Sequence, residues 1–184
     1  MSIILVASWA LGLTVLPAAL YLGLLAVLAR PTRPPADVPP TVRFAVVVPA
    51  HNEQDQIAQT VASLKAVDYP ADRFKVVVVA DNCNDETAAR AAAAGADVMQ
   101  RTDETLRGKG YALEHAFDRL LAGNEADALV VIDADTVVSK NLLRAFAARI
   151  VAGELAVQAE YGVRNPDASW RTRLMAVALA MFHR

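Results

Sequence analysis

Apolar residues follow two patterns along the chain. From Ile3 to Ala29 no charged side chain occurs. Beyond that, short apolar runs alternate with longer stretches in which apolar residues return every three or four positions. Phe44–Val48, Val76–Ala80 and Ala128–Ile132 are apolar at every position. Each is too short for a helix, and a strand covered on both faces reads this way. They predict strands over 42–48, 75–80 and 128–132, with weaker strands over 96–100 and 155–161. Helical spacing fills the gaps: Ile57, Val61 and Leu64 within 54–66; Leu113, Phe117 and Leu120 within 111–121; Leu142, Phe146 and Ile150 after Ser139. Asn52, Asn84 or Asp85, and Ser139 are the expected N-caps, and Gly95 is an expected stop. An apolar helix is expected over 170–182. Strands alternating with helices predict a mostly parallel α/β sheet with helices on both faces.

The charge-free N-terminal run changes the picture of the whole chain. At about 1.5 Å per residue it reaches roughly 40 Å, enough to span a hydrocarbon core of about 30 Å. Gly12, Pro17 and Gly23 lie inside it and are tolerated in spanning helices. A cleaved signal peptide would show basic residues before a shorter run, and Met1-Ser2 has none. One transmembrane helix over 1–29 is therefore expected. Arg30 and Arg33 follow at once and no basic residue precedes, so the positive-inside rule puts the rest of the chain on the cytoplasmic side of the cell membrane. Residues 30–41 hold five of the nine prolines and predict an extended spacer. Residues 42–184 form the expected single α/β domain. A net charge of -2 leaves no nucleic-acid footprint, and the single cysteine permits no intrachain disulfide.

In a parallel sheet, ligands bind beyond the C-terminal strand ends. Three polar clusters fall there: His51-Asn52-Glu53, Asp81–Asp85, and Asp133 with Asp135. Strand side chains alternate, so Asp133 and Asp135 are expected on one side, about 6–7 Å apart. Two such carboxylates suit Mg²⁺ or Mn²⁺, which commonly bridge a protein carboxylate to a substrate diphosphate. Two solvated turn aspartates is the alternative reading. No Gly-x-Gly-x-x-Gly follows the first strand, and neither a P-loop nor a Gly-x-Ser-x-Gly elbow is present.

Four stretches in order, Val46–Glu53, Val77–Thr87, Arg107–Leu113 and Val131–Thr136, make the chain resemble the inverting glycosyltransferases of family 2, which have the Rossmann-like GT-A fold. The resemblance covers about residues 44–165. It implies that Ala50, His51, Asn52 and Glu53 line the nucleoside, and that Asp81 accepts a hydrogen bond from uracil. The family often has an Asp-Asp pair there, where this chain has Ala80-Asp81. Lys109, with Arg107, would reach the diphosphate, and Asp85 would cap its loop. Asp133 would contact the ribose or the metal, and Asp135 would bind Mg²⁺ or Mn²⁺. The expected partners are a nucleotide-sugar donor, a lipid or glycan acceptor, and the membrane. The family's general base, an Asp or Glu well beyond the fifth strand, has no match. The chain stops inside an apolar segment, so an N-terminal portion of a longer enzyme is expected. A catalytically incomplete, membrane-tethered binding protein and a sugar-phosphate nucleotidyltransferase are the competing readings. The latter needs a glycine-rich loop where this chain has Pro-Ala-His-Asn-Glu.

Overall fold

A computed structural model describes residues 3–28 and 37–182. By contacts the chain divides into two compact units, residues 35–157 and residues 1–34 with 158–184.

The first unit is built on four parallel strands in the order β3-β2-β1-β4. They are β1 (Phe44–Ala50), β2 (Phe74–Asp81), β3 (Asp97–Arg101) and β4 (Ala128–Val131). Between and after them come α2 (Ile57–Lys65), α3 (Thr87–Ala93), α4 (Lys109–Ala122) and α5 (Leu142–Val151); α1 (Ile3–Leu28) belongs to the second unit. Strand alternation sorts the core. Ala45 and Val47 of β1 and Val77 and Val79 of β2 pack with Ala112, Ala116 and Leu120 of α4. The intervening Val46, Val48, Val76 and Val78 face the other way and are equally buried. There α2 and α3 pack on each other and on β2. The expectation of helices on both faces of a parallel sheet holds for this unit.

Several expected boundaries are displaced. Pro49 was expected to end the first strand, yet β1 pairs with β2 through Ala50. The Val47 carbonyl accepts from Ile132 N at 3.0 Å, so Val47 points its polar backbone toward β4. Pro49, two residues on, points the same way, where the β1–β4 ladder has already ended at Val47, and its missing N–H breaks no bond. Asn52 does not cap α2: its φ is +56°, and α2 starts at Ile57 after Gln56. The fifth strand over 155–161 is not formed. That segment has no ladder partner, and Leu155 is fully exposed at 103%. Apolar spacing makes a strand only where the segment pairs, and this one leaves the outer edge of β4 unpaired. The fourth strand also stops early. A turn closed by Thr136 N donating to the Asp133 carbonyl (3.1 Å) follows, so the alternation argument for Asp133 and Asp135 does not apply.

In the second unit α1 (Ile3–Leu28) is a helix with Pro17 inside it. Parts of the expected span (1–29) and of the spacer (30–41) lie outside the described residues. Among the described residues, no helix is long and apolar enough to cross a membrane. The α6 helix (Trp170–Phe182) forms as expected. Ser169 caps it reciprocally with Thr172: the Thr172 N–H donates to Ser169 Oγ (3.2 Å) and the Ser169 N–H to Thr172 Oγ1 (2.9 Å). Trp170, Leu174, Met175 and Val177 are exposed, and Arg171 stacks over the Trp170 ring.

Candidate active site

β1 has β2 on one side and β4 on the other, so the connections leave it in opposite directions. This is the switch point where parallel sheets open a crevice. A cleft of about 870 Å³ lies along this rim, a size ordinary for small-ligand sites. It is lined by Pro49–Glu53 after β1, Asp81–Asn84 after β2, Thr102 and Glu104 after β3, and Arg107–Lys109 with Ala112 at the start of α4. Pro49 and Asp81 have the strand parity of Val47 and Val79, which places them on the α4 side.

The loops after β1 and β2 are fastened to each other. Asn52 Oδ1 accepts from Asn84 N at 2.9 Å, Glu53 N donates to the Thr87 hydroxyl at 2.8 Å, and Gln54 N donates to Asp85 Oδ2 at 3.2 Å. His51 Nδ1 lies 2.8 Å from the Asp81 carbonyl. A carbonyl only accepts, so Nδ1 carries the proton, which in the neutral ring leaves Nε2 as an acceptor. Asn52 and Asn82 both have positive φ, at 56° and 51°, a conformation asparagine tolerates better than other side chains. Asp85 closes its loop but is not the N-cap of α3, which is Glu86: its Oδ1 accepts from Thr87 N (2.9 Å) and from the Thr87 hydroxyl (2.5 Å). Desolvation is the largest single influence on this carboxyl and raises its pKa. The Thr87 and Gln54 donors together outweigh it and leave the pKa lowered.

Asp81, 5% exposed, is held by a group that sequence reasoning missed. Arg101 Nη1 donates to Asp81 Oδ1 at 2.7 Å, and Arg101 Nη2 donates to Asp103 Oδ2 at 3.2 Å. Asp103 in turn accepts from Leu106 N, the Thr105 hydroxyl and Thr105 N, which with Arg101 lower its pKa to about 2. Asp103 N donates to Asn82 Oδ1 at 2.8 Å, closing the network. Asn82 Nδ2 has no partner and, among the described residues, is the single buried side-chain polar atom so placed. Arg101 stands directly across the β2–β3 ladder from Asp81, a placement that only the sheet register reveals.

Of the expected site residues, Ala50, His51, Asn52, Glu53, Asp81 and Lys109 line this one cleft. Asp133 reaches it through an ion pair between its carboxylate and the Lys109 ammonium. Asp135 is exposed on the turn and does not line the cleft. The turn is anchored by the buried Thr60 hydroxyl, which donates to the Ala134 carbonyl at 2.7 Å. Among the described residues no group of three or more His, Cys, Asp or Glu side chains is placed to hold a metal ion. The chain therefore offers two hard oxygen donors at most on this turn. That fits Mg²⁺ or Mn²⁺, which take one or two carboxylates and complete their shell with phosphate oxygens and water, and not a closed all-protein cage.

A parallel sheet with a cleft at its switch point, polar loops on the strand ends and an acidic turn defines an α/β domain with a small-ligand cleft. The chain belongs to the glycosyltransferase like family 2, whose model matches residues 39–183. It is 35% identical over 136 residues to glycosyltransferase AglD of Haloferax volcanii, covering 69% of this chain and 21% of the relative. It is 30% identical over 152 residues to a beta-monoglucosyldiacylglycerol synthase of Synechocystis, covering 79% of this chain and 31% of the relative. The chain thus spans between a fifth and a third of the length of these relatives. Among solved structures, the mannosyltransferase PcManGT of Pyrobaculum calidifontis, solved with GDP-Man and Mn²⁺, shares the fold. Its TM-score is 0.60 at 24% identity, covering 84% of this chain and 45% of that one.

Proposed function

We propose that the chain carries the donor-binding half of a membrane-anchored, inverting glycosyltransferase that moves a sugar from a UDP-sugar to a lipid or glycan acceptor. The observation that carries the reading is the convergence of the loops after β1, β2 and β3 and the start of α4 on one cleft. Asp81, oriented by Arg101, presents a carboxylate oxygen for the ring N–H of uracil, and Ala50, His51, Asn52 and Glu53 form the floor beneath the nucleoside. Gly108 and Gly110 have open space where a Cβ would stand, so a diphosphate can approach the backbone at the start of α4, where Lys109 adds its charge.

Asp133 and Asp135 hold the Mg²⁺ or Mn²⁺ in this reading. When bound, the divalent ion neutralises the departing nucleoside diphosphate. Asp133 and Asp135 fix its place, Lys109 shares the phosphate charge, and the anomeric carbon is left open to an acceptor hydroxyl. The Synechocystis relative, named for a glucosylated diacylglycerol, supports a lipid acceptor. The charge-free sequence from Ile3 to Ala29 supports an N-terminal membrane anchor, with Arg30 and Arg33 on the cytoplasmic side.

Titration calorimetry on the full chain in detergent tests the donor assignment. UDP is expected to bind in the presence of Mn²⁺ and to lose at least about tenfold in affinity in Asp135→Ala, about 1.4 kcal/mol. UDP binding that ignores both Mn²⁺ and Asp135→Ala refutes the metal assignment. No binding of UDP at all refutes the site.

A further inference from the structure

Lys109 and Asp133 are assigned to different ligands, yet in the free protein they are bound to each other. Lys109 is the first residue of α4 and lines the cleft; Asp133 opens the turn after β4. Their ion pair joins the end of the rim that would take a diphosphate to the end that would take a cation. Both side chains are about half exposed, at 54% and 48%, so neither is locked in place by packing. The other charges nearby are Asp135, two residues further along the turn, and Glu53, Glu104 and Arg107, which line the cleft.

We propose that Lys109 is an exchangeable counter-ion of Asp133 and makes metal and nucleotide binding cooperative; this rests on the donor-site reading above. An ammonium on the Asp133 oxygen occupies the ground a divalent ion needs, and the two cations repel. The metal must therefore displace Lys109. A diphosphate at the start of α4 draws the same ammonium away from Asp133. Either ligand alone has to break the pair, whereas the second finds it already broken. That saving is a coupling free energy, and it is reciprocal: UDP tightens Mn²⁺ by the factor by which Mn²⁺ tightens UDP. The pair is exposed and its strength modest, so Lys109 should contribute about two- to fivefold to that factor, beyond the direct contact of metal with phosphate.

The test titrates the full chain in detergent with Mn²⁺ alone, UDP alone, and each in the presence of the other. Free Mn²⁺ is followed by electron paramagnetic resonance and UDP by calorimetry. Lys109→Met is expected to tighten Mn²⁺ alone about two- to fivefold, to weaken UDP, and to shrink the coupling factor by a similar amount. Asp133→Asn releases Lys109, so metal-free UDP should bind more tightly than to the unaltered chain, and that gain should vanish in the double variant. Mn²⁺ affinity unchanged in Lys109→Met overturns the proposal. So does a gain from Asp133→Asn that persists without Lys109, because removal of a negative charge alone then explains it. An unaltered chain that takes up neither UDP nor Mn²⁺ overturns the donor-site reading, and the coupling with it.

Discussion

The loops that follow β1, β2 and β3 and the turn that follows β4 meet the same rim on very different terms. On the first side, backbone donors of Glu53, Gln54, Asn84, Thr87 and Asp103 are each taken up by a named side chain, and Asp81 is pinned by a nearly buried arginine. On the second side, the Asp133–Thr136 turn is tied by one backbone bond and the Thr60 hydroxyl, and Asp133 is about half exposed and Asp135 exposed. A preorganised wall binds without reordering, whereas a loosely held carboxylate can exchange one cation for another. In the proposed reading the rigid side takes the nucleobase, and the loose side takes the ion and the diphosphate, for whose sake Asp133 must change its partner.

The comparison breaks most readily at Arg101. Arg101→Met leaves the Asp81 carboxylate without its cation in a site where the two side chains are 11% and 7% exposed. The expected loss is about 3 kcal/mol, at the lower end for a severed buried pair because the cleft admits water. Thermal or denaturant unfolding of the full chain in detergent measures it; a loss under about 1 kcal/mol would mean that the wall is not rigid through this pair. Asp85→Ala comes next. It strands Gln54 N, Thr87 N and the Thr87 hydroxyl, of which the fully buried Thr87 has least access to replacement water. A loss smaller than that at Arg101 is expected in denaturant unfolding, with Asp85→Asn recovering part of it because the amide oxygen still accepts; no loss in Asp85→Ala would take Asp85 out of the wall.

A pH series sharpens the contrast without altering the cleft. Asp103 titrates at about 2 in the folded chain, against an ordinary 3.8, chiefly because Leu106 N, the Thr105 hydroxyl and Thr105 N favour its charged form. A carboxyl depressed in the folded state binds fewer protons there than when unfolded. Its contribution is complete above the unfolded value, near pH 4, and drains away as pH falls toward 2. Asp85 shifts in the same direction. Stability should therefore be flat with respect to these two groups above about pH 5 and decline below pH 4. Asp103→Asn should flatten part of that decline, and an unaltered slope in the variant would remove Asp103 from the network.

How far the sequence reached follows the same division. Phe44–Val48 and Val76–Ala80 are apolar at every position because the strands are covered on both faces, and helical periodicity marked α2, α4 and α5. Those signals are local, so the parallel sheet and its polar rim were readable. Asn52 was misread as a cap because an asparagine before a helix has the same composition whether it caps or turns left-handed. Leu155–Tyr161 was misread as a strand because a strand depends on the pairing the segment actually makes, which no local pattern encodes. The ion pairs of Asp81 and Asp133 escaped for a related reason: each joins residues far apart in the chain, and neither partner carries a local mark of the other. The cleft residues were nevertheless found, since strand ends in a parallel sheet share one side whatever their side chains do next.

The smallest expected effect is the one that would show whether the loose side is loose by design of its energetics. Lys109→Met severs an ion pair just as Arg101→Met does, yet both of its side chains are near half exposed. Water replaces the lost partner on the Asp133 carboxylate, so unfolding stability should change by no more than about 0.5 kcal/mol. Added salt should make little difference, because an exposed pair is already screened. The ratio of the two effects, large at Arg101 and near zero at Lys109, measures the asymmetry of the rim directly. A loss at Lys109 comparable to that at Arg101 would mean that the turn after β4 is part of the rigid frame. Asp133 would then be held in place by its lysine and not free to change partners.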